Sequence, residues 1–437
     1  MTTAPGVIIA APSSGSGKTL LTLGLLRALR NSGVKAASFK VGPDYIDPQF
    51  HYFASHCPCF NLDPWAMSDE TLSDNYRAAS VGADLVIGEG VMGLFDGAQD
   101  GNGSTADLAT SLNLPLILVV DGKGQSASMG ALLHGFNCFR EDTRLAGVIF
   151  NRVSSPFHAE LLSKAASDQG IPTLGYLPRL DDLITPSRHL GLVQAEEHEG
   201  LEAFIQKAAD IVTRHIDLQK IQQIVSPPKL TPTCLSAPPP ADRIAIARDT
   251  AFNFSYPHIL HRWKAAGAAL SFFSPLTDER PAMDANFIYL PGGYPELHAD
   301  KLANNETFKK AMRRAANTGI PIYGECGGYM TLGRGLTDKK GTRHEMLNLL
   351  PIETSFHAPK RHLGYRQAVM QTETPLGKCG HIYAAHEFHY ASETDNTSTS
   401  SLFEISNAKG QKLGGTGAIS GSVFGSFIHL IDRKGSV

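Results

Sequence analysis

The stretch Pro12-Ser13-Ser14-Gly15-Ser16-Gly17-Lys18-Thr19, set between the apolar run Val7–Ala11 and a leucine-rich segment, restricts this chain more than any other part of it. A strand that turns through two glycines directly into a helix is a phosphate-cradling loop, and that context places it at the carboxyl edge of a parallel sheet. Gly15, Ser16 and Gly17 let the backbone wrap phosphates, Lys18 reaches the outer phosphates, and Thr19 offers a hydroxyl to Mg²⁺. The usual first glycine of the motif is Pro12 here. A nucleoside triphosphate with Mg²⁺ is the expected occupant.

The rest of the first half agrees with that sheet. Short apolar runs at Val7–Ala11, Ala36–Val41, Leu85–Gly88, Leu116–Val120, Ala146–Phe150 and Thr173–Leu177 alternate with helical patterns, the mark of parallel strands joined by crossover helices. The proline-dense stretch from Ser226-Pro227-Pro228 to Pro238-Pro239-Pro240 cannot continue a helix or a central strand, so it reads as an extended linker. The expected organisation is therefore an α/β chain of two doubly wound domains, residues 1–225 and 242–437, joined by a linker at 226–241. After the seam the pattern restarts with strands near Ile244–Ala247, Leu270–Phe273, Phe287–Leu290 and Ile320–Tyr323, and the last third is β-rich.

A net charge of −3 gives no reason to expect nucleic acid, and no apolar run approaches the ~20 residues that span a bilayer. A cytoplasmic enzyme with small-molecule partners is expected, with a homodimer as one option for its assembly. The six cysteines show no disulfide spacing. Cys57-Pro58-Cys59 with His51 and His56 offers a metal site on paper, but the spacing is wrong for zinc, and buried apolar cysteine is the better reading.

Carboxylates at strand ends decide what a phosphate loop does. Lys40-Val41-Gly42-Pro43-Asp44-Tyr45-Ile46-Asp47-Pro48 closes the second strand and Gly88-Glu89-Gly90-Val91-Met92-Gly93-Leu94-Phe95-Asp96-Gly97 closes the third. Asp47 and Glu89 are the natural partners of Thr19 in a magnesium shell. Asp44 and Asp96 lie close by, as candidate catalytic groups or as helix caps and turn formers.

Near the other end, Cys326 sits in Tyr323-Gly324-Glu325-Cys326-Gly327-Gly328, a strand-to-helix turn with the character of a nucleophile elbow. The N–H of Gly327 is one oxyanion donor, and Gly293 in Pro291-Gly292-Gly293-Tyr294-Pro295-Glu296 offers a second. His429, at the end of Gly425-Ser426-Phe427-Ile428, is the expected base. No carboxylate stands two residues after it, where Ile431 lies, so Asp432 or Glu387 becomes the candidate third member, unless the pair works unaided.

Together the Lys18 loop, the Lys40–Pro48 and Gly88–Gly97 segments, Pro291–Glu296 and His386-Glu387-Phe388-His389-Tyr390 resemble the cobyrinic acid a,c-diamide synthase family over essentially the whole chain, and its aerobic-pathway members act on hydrogenobyrinic acid. The first half also resembles dethiobiotin synthetase, and the second a class I type glutaminase domain lacking its third acid. The resemblance implies an ATP-dependent ligase that hydrolyses glutamine and amidates the a and c acetates of a corrinoid. It implies substrate contacts at Asp44, Tyr45 and Asp96, with Lys40 a further substrate residue, and a basic lining for a polycarboxylate, for which Lys360, Arg361 and Arg366 are candidates unless they are simply solvated. Cobyric acid synthase and a nickel-tetrapyrrole diamide synthase would share both sites. A partition-type ATPase would need no cysteine elbow.

Overall fold

In the computed structural model the described residues are 3–179, 187–188, 191–192, 194–197, 200–233, 238–398 and 400–436. The chain divides into two compact units, Met1–Cys234 and Leu235–Val437.

The first unit is built on a seven-stranded parallel sheet. Its strands are β1 (Gly6–Ala10), β2 (Ala36–Val41), β3 (Cys59–Leu62), β4 (Leu85–Glu89), β5 (Leu116–Asp121), β6 (Leu145–Val153) and β7 (Thr173–Pro178), in the order β3-β2-β4-β1-β5-β6-β7. β1, β2 and β4 are buried along their whole length, as strands covered on both faces must be. The sequence reading missed β3, because Cys-Phe-Asn-Leu is too short and too polar at Asn61 to stand out. Asn61 is buried there and donates to the carbonyls of Gly42 and Asp44 at 2.9 and 2.7 Å.

Helix α1 (Lys18–Asn31) follows the loop and buries Leu21, Leu23, Leu25, Leu26 and Leu29. Each such side chain contributes roughly 1.5–3 kcal/mol by leaving water. Arg27 is buried on the same helix, donates to the carbonyls of Ala54 (3.1 Å) and Phe53 (2.9 Å), and pairs with Glu202. The first part of the proline seam is not loose. Ser226 exchanges backbone bonds with Gly6, Lys229 N donates to Leu112 O at 2.8 Å, and Thr231 N donates to Ser73 Oγ at 3.0 Å. Residues 234–237 lie outside the described residues.

The second unit has a six-stranded sheet in the order Ala269–Phe273, Arg243–Ala247, Phe287–Leu290, Ile322–Glu325, Val423–Ser426, Ala418–Ser420, parallel except for the last strand. The expected strand at Ile320–Tyr323 lies two residues later, at Ile322–Glu325, which brings Glu325 into the sheet. One face carries a core that includes Phe273, Phe308, Met312 and Tyr329. The other is packed with Ala368, Met370, Phe403 and Leu430 of an antiparallel sheet made of Lys412–Thr416, Phe403–Asn407, His362–Met370, His381–His389 and Ile428–Ser436. The β-rich tail therefore closes a second core.

Candidate active sites

The order β2-β4-β1 brings three strand ends together in the first unit, with Ile9 and Lys40 both in register with Glu89. Gly17 precedes α1 with φ 98°, and a side chain there would strike the amide of Asn151, whose Nδ2 donates to Ser16 O at 2.9 Å. Only glycine meets both demands. Gly15 also has positive φ (77°), and its carbonyl accepts from Arg152 Nη2 at 3.0 Å. Ser16 Oγ donates to Ser13 O at 2.9 Å, and Lys18 Nζ folds over the loop to Met92 O (2.6 Å) and Ser13 O (3.3 Å). Burial, and then the neighbouring Lys40 charge, lower the Lys18 pKa.

Thr19 Oγ1 donates to Glu89 Oε1 at 2.6 Å and lies 3.5 Å from Asp47 Oδ2. The predicted metal trio thus converges as an all-oxygen set of the kind Mg²⁺ takes. Lys40 Nζ stands among the same carboxylates, 2.5 Å from Asp47 Oδ2, 2.8 Å from Glu89 Oε1 and 3.9 Å from Asp44 Oδ2. Burial opposes its charge, but Asp47 and Glu89 outweigh burial and hold its pKa above the ordinary lysine range. Burial and the nearby Asp44 push Asp47 up to about 7, whereas Lys40 and His51 overcome burial and keep Glu89 below the usual range.

The structure gives Asp44 and Asp96 backbone duties. Asp44 Oδ1 accepts from Ile46 N and Asp47 N at 2.8 and 3.1 Å, at the start of helix α2 (Asp47–Ser55), and Asp96 Oδ2 accepts from Gly93 N at 2.8 Å. Asp96 is exposed and Tyr45 half-buried. Asn151, Arg152 and Met92 were not picked out as site residues by sequence reasoning, and His51 was noted only beside the Cys-Pro-Cys segment. Asn151-Arg152, at the end of β6, was a legible signal. Cys59 is buried with Sγ 3.4 Å from His51 Nδ1, while Cys57 is half-buried.

In the second unit Cys326 turns the chain between the Ile322–Glu325 strand and the short helix Gly327–Leu332, with φ 45° and ψ −100°. Holding a non-glycine residue there costs on the order of 1–3 kcal/mol. Its N–H donates to Ser426 O at 2.8 Å, which fixes it against the neighbouring strand. The chain leaves that strand, crosses through Phe427 into the antiparallel sheet, and thereby brings His429 near enough to Cys326 for the two side chains to act on each other electrostatically. Burial opposes the charge on His429, but Cys326 and Glu325 prevail and raise it to about 10. Gly293 N lies 2.9 Å from where a β-carbon on Gly327 would stand, so the two predicted oxyanion amides are neighbours.

Both predicted third acids are engaged by other groups. Asp432 accepts from Arg262 Nη1 at 2.9 Å, and Glu387 is held by Arg366 Nη2 at 2.6 Å and His389 Nε2 at 3.0 Å. The carboxylate that does approach is Glu325, with Oε2 3.7 Å from His429 Nδ1. Of the suggested basic lining, Arg366 is engaged by Glu387, and Lys360 and Arg361 are exposed. His362, Glu387 and His389 present ligand atoms within 4.8 Å of one another, yet the two rings stack at 4.6 Å with planes 5° apart. Lone pairs in parallel stacked rings run side by side rather than converging on one ion.

Residues 7–193 match the model of the CobQ/CobB/MinD/ParA nucleotide binding domain, and residues 243–436 that of the CobB/CobQ-like glutamine amidotransferase domain. A Brucella abortus protein named hydrogenobyrinate a,c-diamide synthase is 52% identical over 436 residues, covering 98% of this chain and 99% of that one. Proteins of the same name are 50% identical in Rhizobium meliloti (98% and 99% covered) and 44% identical in Agrobacterium fabrum (99% and 100% covered). No helix of the described residues is long and apolar enough to cross a membrane.

Proposed function

Because the chain belongs to the hydrogenobyrinate a,c-diamide synthase family, we propose that it uses ATP and glutamine to amidate the a and c acetate carboxylates of hydrogenobyrinate, a step of cobalamin biosynthesis. It is a carbon–nitrogen ligase with glutamine as nitrogen donor. The observation that carries this reading is the presence in one chain of the Lys18 loop with its Asp47–Glu89 carboxylates and of the Cys326–His429 elbow.

At the elbow the Cys326 thiolate attacks the carboxamide carbon of glutamine. The oxyanion is held by the Gly293 and Gly327 N–H groups, and His429 hands a proton to the departing ammonia. Water then cleaves the thioester, with His429 as base, to release glutamate and restore the thiol.

At the loop, the Gly15–Gly17 backbone and Lys18 hold the triphosphate, and the γ-phosphoryl group passes to a substrate carboxylate oxygen, leaving ADP. Ammonia attacks the acyl carbon and phosphate departs, so the amide forms at the expense of the anhydride. Thr19, Asp47 and Glu89 would hold Mg²⁺, which when bound neutralises phosphate charge. Tyr45 and Lys40 are the contacts to the acceptor carboxylate in this reading, and Asp44 and Asp96 shape the turns beside it.

Mass analysis after incubation with hydrogenobyrinic acid, ATP, Mg²⁺ and glutamine tests the assignment. Two successive exchanges of OH for NH₂ are expected. Amidation of only other side chains, or of a different tetrapyrrole in preference, would reject it.

A further inference from the structure

Glu325 immediately precedes the nucleophile, in a position with no counterpart in a Cys-His-carboxylate arrangement read from sequence order. Its carboxylate is buried and collects donors from three directions: Tyr289 Oη on Oε2 at 2.7 Å, and Tyr323 Oη and Leu430 N on Oε1 at 2.9 and 3.2 Å. The tyrosine rings are stacked, centroids 5.7 Å apart and 11° between planes, which leaves both hydroxyls little freedom to swing away. With those positions filled, Oε2 faces His429 Nδ1 at 3.7 Å.

We propose that Glu325, aligned by Tyr289 and Tyr323, is the positioning carboxylate of the glutaminase centre, holding His429 with one ring nitrogen toward the carboxylate and the other in place to exchange a proton with Cys326. The inference rests on the glutaminase reading above. When the thiol proton moves to His429 the imidazolium forms opposite the carboxylate, as in a Ser-His-Asp triad. The strand pairing explains why sequence order concealed it. His429 stands one residue from Leu430, whose N–H is itself bonded to Glu325, so the carboxylate reaches the histidine strand from the cysteine side. The titratable groups around His429 include Cys326 and Glu325 on the elbow and His386 opposite it in the strand pair.

The test compares wild type, Glu325→Gln and Tyr289→Phe in glutamine hydrolysis and in amidation supplied with ammonium chloride. Glu325→Gln is expected to lower glutaminase kcat by about 10²–10⁴-fold, with glutamine KM within about twofold and ammonia-supported amidation unchanged. The pH profile of Cys326 alkylation by iodoacetamide should also move, a change that loss of packing alone does not produce. Should Glu325→Gln fail to fold, Tyr289→Phe carries the test, with an expected kcat loss of about 3–30-fold at constant KM. Unchanged kcat in the folded variants would overturn the inference, whereas a wild type without glutaminase activity would overturn the reading beneath it.

Discussion

His51 Nε2 lies 2.7 Å from Glu89 Oε2, so the carboxylate that meets Thr19 with one oxygen is gripped by a buried imidazole through the other. His51 Nδ1 in turn meets Cys59 Sγ. Burial opposes charge on His51, but Cys59 and Glu89 raise it to about 10, so it serves Glu89 as a charged donor. Ligating carboxylates are commonly steered from behind in this way.

Removing that grip should loosen Glu89 and spare the glutaminase. His51→Ala is expected to raise the Mg²⁺ requirement of ammonia-supported amidation by about 10–100-fold, while His51→Gln, which keeps a donor toward Glu89, recovers most of it. Magnesium titrations at saturating ATP read this out. Equal behaviour of the two variants would refute the role given to His51.

At the elbow Gly292 leaves no room for a side chain, because a β-carbon there would run into Cε1 of His429. Gly292→Ala should therefore displace the base and reduce glutamine-dependent amidation by at least about 100-fold, in the range of losing a general base. Ammonia-supported amidation should stay intact. Parallel assays with the two nitrogen sources decide it.

The second unit should be acid-sensitive. Burial pushes His258 down to about 4, despite its contact with Ile431 O at 3.0 Å, and burial together with His429 pushes His386 down to about 3. An unfolded histidine titrates near ~6.5, so between that value and the folded ones the unfolded chain binds more protons. The contribution of these two histidines is then complete above pH ~6.5 and is lost as pH falls toward 4 and below, by on the order of 3 kcal/mol each, while His429, raised to about 10, loses its own contribution as pH climbs from ~6.5 toward that value. Thermal unfolding across this window should show the fall, and His258→Gln, which keeps a donor for Ile431 O, should flatten it.

Arg27 and Glu202 should behave unequally although they form one ion pair. Glu202 is 72% exposed, so Glu202→Ala should cost under ~1 kcal/mol. Arg27→Ala strands the carbonyls of Phe53 and Ala54 in helix α2 and leaves a cavity, so about 3 kcal/mol is expected. Urea unfolding of both variants measures the difference.

Much of this was written locally in the chain. A phosphate loop is one strand, one turn and one helix, and the glycines that permit its backbone must be consecutive with the lysine they serve, so Gly15 to Thr19 could be read without any tertiary knowledge. The same holds for Cys326 between its strand and Gly327. Asp47 and Glu89 were legible because carboxyl ends of parallel strands share one edge.

Which groups finally touch was decided only by packing. Glu325 was hidden because a side chain at the end of a strand gives no sign of the residue across the sheet; two tyrosines and the crossing at Phe427 turn it toward His429. Asp432 was plausible by its nearness to His429 in the chain and Glu387 by its place in the His386–Tyr390 segment, but Arg262 and Arg366 claim them. Lys40 likewise reads as a loop-edge cation, and only strand order surrounds it with three carboxylates. Local motifs encode their own backbone, whereas a charge takes whichever partner the long-range strand pairing puts within a few ångströms.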